Sequence, residues 1–163
     1  MSSGYTNLDQ FTFTKHNDCP LDKDVIEDLI PHRDPFLFLD CVDLVDVFNG
    51  AVGYRKFGHE DFFRGHFPNF KVVPGVILVE AMAQLAAFCV AYSNKAQNQK
   101  VPGGVAFMKI EQAKFRKPVI PNDLVKIIIV KTLMKTPIFQ FYGECYVNNQ
   151  KVAESSFMAT SKD

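Results

Sequence analysis

Residues 76–93 restrict the fold of this chain more than any other stretch. Val79, Met82, Ala83, Ala86, Ala87 and Val90 recur at helical spacing and cover much of the helix circumference. A helix that is apolar nearly all round belongs inside a protein rather than on its surface, so other elements must surround it. Those elements read as strands. Alternation and a high Val, Ile, Leu and Phe content mark strands at residues 36–48, 51–57, 105–115, 124–134, 138–147 and 151–160. Asn49-Gly50 is the strongest short hairpin signal, and Pro118, Pro121-Asn122, Thr136-Pro137 and Asn148-Asn149 separate the later runs. A short helix is expected over residues 22–30, where Val25, Ile26, Leu29 and Ile30 share a face and Pro31 ends it. One buried helix and about six tightly connected strands predict an α+β fold, an antiparallel sheet wrapped around one central helix. A cystatin-like roll is the alternative arrangement.

With 163 residues, of which 47% are hydrophobic, one domain with a real core is expected. Residues 1–20 are polar and aperiodic and read as an N-terminal arm; residues 21–163 form the domain. The formal charge is zero, which argues against general affinity for nucleic acid. The charge is unevenly placed. Residues 1–50 hold 10 acidic and 3 basic side chains, and residues 51–163 hold 8 and 15, so the halves carry −7 and +7. The basic half suits an acidic partner, although an uneven solvated surface accounts for the same numbers. No apolar run reads as a membrane span, because residues 72–92 are interrupted by Glu80 and Gln84. Cys19, Cys41, Cys89 and Cys145 form no CxxC or zinc pattern, and all four read as reduced thiols of an intracellular, cytoplasmic protein.

The chemistry is concentrated in Gly65-His66-Phe67-Pro68-Asn69-Phe70-Lys71-Val72-Val73-Pro74-Gly75 and the helix that follows. His66 lies in a Pro-punctuated loop. Gly75 opens the helix, where backbone N–H groups lack intrahelical partners and favour negative charge, such as an oxyanion on a carbonyl. Glu80 stands about 7.5 Å further along the axis, among aliphatic residues. Burying it ionised costs several kcal/mol unless it is paired. A base, a helix N-terminus and a buried acid are parts for proton transfer on a carbonyl compound. Each has a plainer reading: His66 as a surface residue, Glu80 as a packing carboxylate bonded to Gln84, its i+4 neighbour. In Pro31-His32-Arg33-Asp34-Pro35 the plain reading is preferred, with Arg33 paired to Asp34 and His32 capping the preceding helix. No GxSxG, phosphate loop or metal spacing occurs.

Three blocks carry a family resemblance: Ile-Pro-His-Arg-Asp-Pro-Phe-Leu-Phe-Leu-Asp at 30–40, residues 63–84, and residues 107–124. His66, Phe67, Pro68, Pro74, Gly75, Glu80, Ala81 and Gln84 fall at the spacing of the bacterial 3-hydroxyacyl-[acyl-carrier-protein] dehydratases of the FabZ type, which the chain resembles over roughly residues 25–160. Glu at position 80, where the isomerising FabA type has Asp, favours the plain dehydratase. The resemblance implies the hot-dog fold, dehydration of 3-hydroxyacyl chains on acyl carrier protein, and a homodimer with shared active sites, often assembled as a trimer of dimers. It also implies that neither a cofactor nor a metal is needed. His66 would remove the α-proton, and Glu80 of the other subunit would protonate the departing hydroxyl. The Gly75 N–H would hold the thioester oxygen, and the Val72 carbonyl would orient the imidazole. The chain departs from the family at Asn69, Lys71, Lys109 and Asn122, where a small residue or Asp, Pro, Gly and Gly are usual.

An acidic carrier suits the basic half. Arg64, Lys71, Lys114, Arg116 and Lys117, with Lys109, are candidate docking residues. Two other activities use the same fold: an acyl thioesterase with Glu80 activating water, and a non-catalytic acyl-binding subunit.

Overall fold

The computed structural model describes residues 19–162. The arm expected at residues 1–20 therefore lies, but for its last two residues, outside the described part. Asp22 caps helix α1 (Lys23–Leu29), its carboxylate accepting from the Val25 N–H at 3.2 Å. Strands β1 (Cys41–Asp46), β2 (Gly50–Lys56), β3 (Gly104–Phe115), β4 (Leu124–Lys135), β5 (Ile138–Val147) and β6 (Gln150–Lys162) make one antiparallel sheet, ordered β1-β2-β4-β5-β6-β3. Hairpins join β4 to β5 and β5 to β6. β3 is the outlier: it leaves the long helix, takes the far edge and pairs only with β6.

Helix α2 (Gly75–Ala96) packs on β2, β4, β5 and β6. Met82, Leu85, Phe88 and Cys89 are wholly buried, as are Phe57, Ile127, Ile129 and Phe157 of the surrounding shell. Each such side chain contributes roughly 1.5–3 kcal/mol relative to an exposed one. The helix approaches the sheet closely at Gly143, where a Cβ would come within 2.7 Å of the Met82 sulfur. By length and composition α2 could cross a membrane, contrary to the sequence reading, but 67% of its most apolar window is buried. It is the core helix that the all-round apolar pattern predicts.

Two further expectations change. The strand expected at 36–48 begins only at Cys41. Leu37, Phe38 and Leu39 are buried, but their segment is not paired into the sheet. Pro31 and Pro35 remove donors, and the Phe38 N–H and Phe36 carbonyl bond instead to the Gln84 side chain. Nor are all four cysteines thiols: Cys19 and Cys41 form a disulfide, their Cα atoms 6.1 Å apart. Leu21 pairs with Val42 through two backbone hydrogen bonds, which brings residue 19 to the start of β1 despite 22 residues of separation. Cys89 and Cys145 are buried free thiols, and burial pushes the Cys89 pKa up to about 12.

Candidate active site

A short 3-10 turn (Asp61–Arg64) delivers the chain to His66, whose N–H bonds the Phe62 carbonyl at 2.9 Å. The loop then closes on itself. The Val72 N–H donates to the His66 carbonyl at 2.9 Å, and His66 Nδ1 lies 2.8 Å from the Val72 carbonyl. A carbonyl only accepts, so Nδ1 carries the hydrogen and Nε2 keeps a free lone pair. The Val73 N–H, bonded to the Val119 carbonyl at 2.8 Å, ties the loop to the body of the protein. Two residues later α2 begins. Pro74 is its N-cap and supplies no side-chain hydrogen bond, and no acidic residue occupies the first turn. The positive end of this 22-residue helix is thus left uncompensated beside His66. A Cβ at Gly75 would fall 2.7 Å from the Phe115 ring, so no larger side chain fits there without movement.

Glu80 lies elsewhere. His66, Gly75, Phe115, Arg116 and Lys117 line one cavity. Glu80 lines another, with Ala83, Ala87, Phe139 and Phe141. In the single chain His66 and Glu80 thus line different cavities. The Glu80 carboxylate is 18% exposed, and its Oε1 accepts from Gln84 Nε2 at 2.9 Å. The i+4 bond that the plain reading anticipated is therefore present. Gln84 is itself held at both ends, by the Phe38 N–H at 2.8 Å and the Phe36 carbonyl at 3.0 Å.

The 31–35 turn differs from its expected form. Arg33, not His32, ends α1: its guanidinium donates to the Glu27 and Ile30 carbonyls, each at 2.8 Å. Asp34 pairs with Lys23 rather than with Arg33. His32 turns into the Glu80 cavity, with Nε2 3.5 Å from Glu80 Oε1. Burial lowers its pKa below the ordinary histidine value, against the opposing effect of Glu80. The sequence singles out this residue but points to a helix cap rather than to Glu80. The rigid Pro31–Pro35 frame was the available signal, but nothing in the sequence links position 32 to position 80.

The basic candidates divide. Arg116 and Lys117 line the His66 cavity. Arg116 and Lys114 also share Glu154, at 3.1 and 3.8 Å, so part of their charge is neutralised. Arg64 is exposed and 3.7 Å from Asp61, Lys71 is exposed, and Lys109 pairs with Glu111 at 3.3 Å. Asn122 has φ +73°, a left-handed conformation that Asn accepts readily.

A long buried helix wrapped by six antiparallel strands, with a histidine loop feeding the helix N-terminus, is the hot-dog fold. The dehydratase heterocomplex ApeI:P from Xenorhabdus doucetiae shares it, with a TM-score of 0.73 over 85% of this chain and 91% of that one, at 14% identity. The chain belongs to the FabA-like family, whose model matches residues 30–156. Within it, the chain is 42% identical over 142 residues to the 3-hydroxyacyl-[acyl-carrier-protein] dehydratase FabZ of Rhodospirillum rubrum, covering 85% of this chain and 86% of the relative. It is also 42% identical to the enzyme of the same name from Rickettsia akari, over 85% of this chain and 94% of that one.

Proposed function

We propose that this chain is a hydro-lyase that converts 3-hydroxyacyl chains on acyl carrier protein to trans-2-enoyl chains in fatty-acid biosynthesis, at sites shared between two copies. His66 Nε2 takes the proton on C2. The C2–H electrons form the C2=C3 bond, and the C3–O bond breaks as Glu80 gives its proton to the departing hydroxyl, which leaves as water. The Gly75 N–H and its neighbours at the α2 N-terminus hold the charge that grows on the thioester oxygen. The proton on His66 then returns through solvent to Glu80, which restores both groups.

The observation that carries this reading is the 2.8 Å contact of His66 Nδ1 with the Val72 carbonyl. The Nδ1–H is thereby committed, so the basic Nε2 is available beside an open helix N-terminus. Separation of His66 and Glu80 into different cavities supports a site assembled from two chains. So does β3: this edge strand of 12 residues leaves Phe107, Met108, Ile110 and Phe115 between 40% and 52% exposed. Such an edge calls for a partner. A homodimer pairs these surfaces, and a trimer of dimers extends it. The cytoplasm is the proposed compartment because the substrate's carrier is used there; the Cys19–Cys41 bridge makes the redox state of that pair in cells a direct check.

The test is one incubation with a 3-hydroxyacyl thioester, following enoyl absorbance and free-thiol release together. Enoyl product without thiol is expected. Thiol without enoyl product would make the chain a thioesterase, and neither would make it a binding subunit. Mixing inactive His66→Ala with inactive Glu80→Ala chains should restore part of the activity. No recovery after proven subunit exchange would put each site within one chain.

A further inference from the structure

The turn between α1 and β1 places a second titratable side chain against the acid. Beside Glu80, His32 and Gln84, the walls of the Glu80 cavity are apolar, with Ala83, Ala87, Phe139 and Phe141 among them. His32 also lines it, its side chain 20% exposed, with Nε2 3.5 Å from Glu80 Oε1. Arg33 fixes the backbone that carries it, through bonds to the Glu27, Ile30 and His32 carbonyls at 2.7–2.8 Å. His32 is thus aimed rather than loosely placed.

Its tautomer follows from the other nitrogen. Nδ1 is buried and has no hydrogen-bond partner. A protonated Nδ1 there would be a donor stranded away from water, the costlier way to leave the atom unpaired. The hydrogen therefore sits on Nε2, the nitrogen that faces Glu80. Burial, which disfavours the charged imidazolium, points the same way. The contacts on Glu80 are also asymmetric. The Gln84 amide and His32 both approach Oε1. Among the described residues none donates to Oε2.

We propose that His32 is a positioning residue for Glu80: its neutral imidazole presents Nε2–H to Oε1 and, with the Gln84 amide on that oxygen, reserves Oε2 for the proton delivered to substrate. His32 neither gains nor loses a proton in the cycle. The 3.5 Å contact is longer than a formed hydrogen bond and closes into one once Oε2 has given up its proton and Glu80 has become a carboxylate, so His32 acts late in the chemical step. The inference rests on the dehydratase reading and assigns a role to a residue outside the His66–Glu80 pair.

The test compares three variants of the full chain on a carrier-free 3-hydroxyacyl thioester. His32→Phe keeps the ring volume and removes the donor. His32→Gln keeps an amide N–H close to the Nε2 position. His32→Asn carries the same amide one bond too short. The Phe and Asn variants should lose roughly 10- to 100-fold in kcat, as supporting hydrogen-bond partners typically do, with KM changed less than about threefold. Gln should recover most of the loss. If Phe fails to fold, the Gln and Asn pair decides. Full kcat in Asn, or a Gln variant as poor as Asn, overturns the proposal and leaves His32 a packing residue. A wild-type chain that forms no enoyl product overturns the dehydratase reading itself. An active wild type, silenced by His66→Ala but not by His32→Phe, overturns only the role of His32.

Discussion

Glu80 and Glu154 are both largely covered carboxylates, 18% and 11% exposed, and they are treated in opposite ways. Glu154, on β6, is saturated with cations. Lys151 reaches it at 3.2 Å, Arg116 at 3.1 Å and Lys114 at 3.8 Å. Its neighbour Glu144 takes Tyr142 and Tyr146 hydroxyls at 2.7 and 2.6 Å and shares Lys151. Burial alone would raise the Glu154 pKa, but the hydrogen bonds from Lys151 and Arg116 outweigh it and hold the carboxyl below its ordinary range. Glu80 meets an amide and a half-buried imidazole, and among the described residues no Lys or Arg is paired with it. Cations hold one carboxylate ionised to a lower pH than usual. A neutral amide orients the other. The first arrangement builds structure, and the second suits the acid role proposed for Glu80.

The largest effects should come from breaking the reactive side of this comparison. Glu80→Gln and His66→Ala should each lower dehydration by about 10²–10⁴, the usual scale for a positioned acid or base. Thermal unfolding should show both variants folded. Because the two groups act as a unit, the double variant should be little worse than the poorer single one.

Glu154→Gln should invert that pattern. Turnover on a carrier-free thioester should stay within about threefold of wild type, while urea unfolding should show a loss of roughly 1–3 kcal/mol from stranding half-covered Lys151 and Arg116. The pH dependence follows from the depressed Glu154 pKa. Its stabilisation is present above the unfolded-state value of 4.5 and is lost as pH falls through the lower folded value. In Glu154→Gln the acid limb of the stability curve should therefore be shallower. An unchanged limb would mean that the network does not hold this charge.

The docking surface proposed for the carrier joins the two regions, since Arg116 both lines the His66 cavity and binds Glu154. Reversing Arg116 would set two carboxylates together, so Lys117→Glu is the cleaner probe. It should raise KM for carrier-bound substrate by roughly 3- to 10-fold at low salt, less at high salt, and spare the carrier-free thioester. Equal loss on both substrates would mark a structural effect.

The smallest change in turnover is expected from Cys41→Ser. It opens the bridge to Cys19, far in sequence from His66 and Glu80, and activity should stay within about twofold. Stability should fall by roughly 2–4 kcal/mol, the common worth of a disulfide, and reductant should lower the wild type to the same level. A variant as stable as the oxidised wild type would show that the bridge constrains little.

Much of this was legible before the structure. Periodicity located α2 and the last four strands to within a few residues, because local alternation and turn residues act over short distances. It failed at residues 36–40, where burial mimicked a strand and the Gln84 side chain took the backbone bonds that a neighbouring strand would have made. Spacing also nominated His66, Gly75 and Glu80, since a loop histidine before a helix N-terminus and a carboxylate within an apolar face are sequence patterns.

What the sequence alone determined, then, is the buried helix, the sheet that must enclose it and the residue types of the site. Tertiary structure decided which groups meet. It set His32 on Glu80 across 48 positions, gave Arg33 the cap expected of His32, joined Cys19 to Cys41 and bound Arg116 to Glu154. Each of these pairs is fixed by how distant elements pack around α2, and a one-dimensional pattern holds no record of that packing.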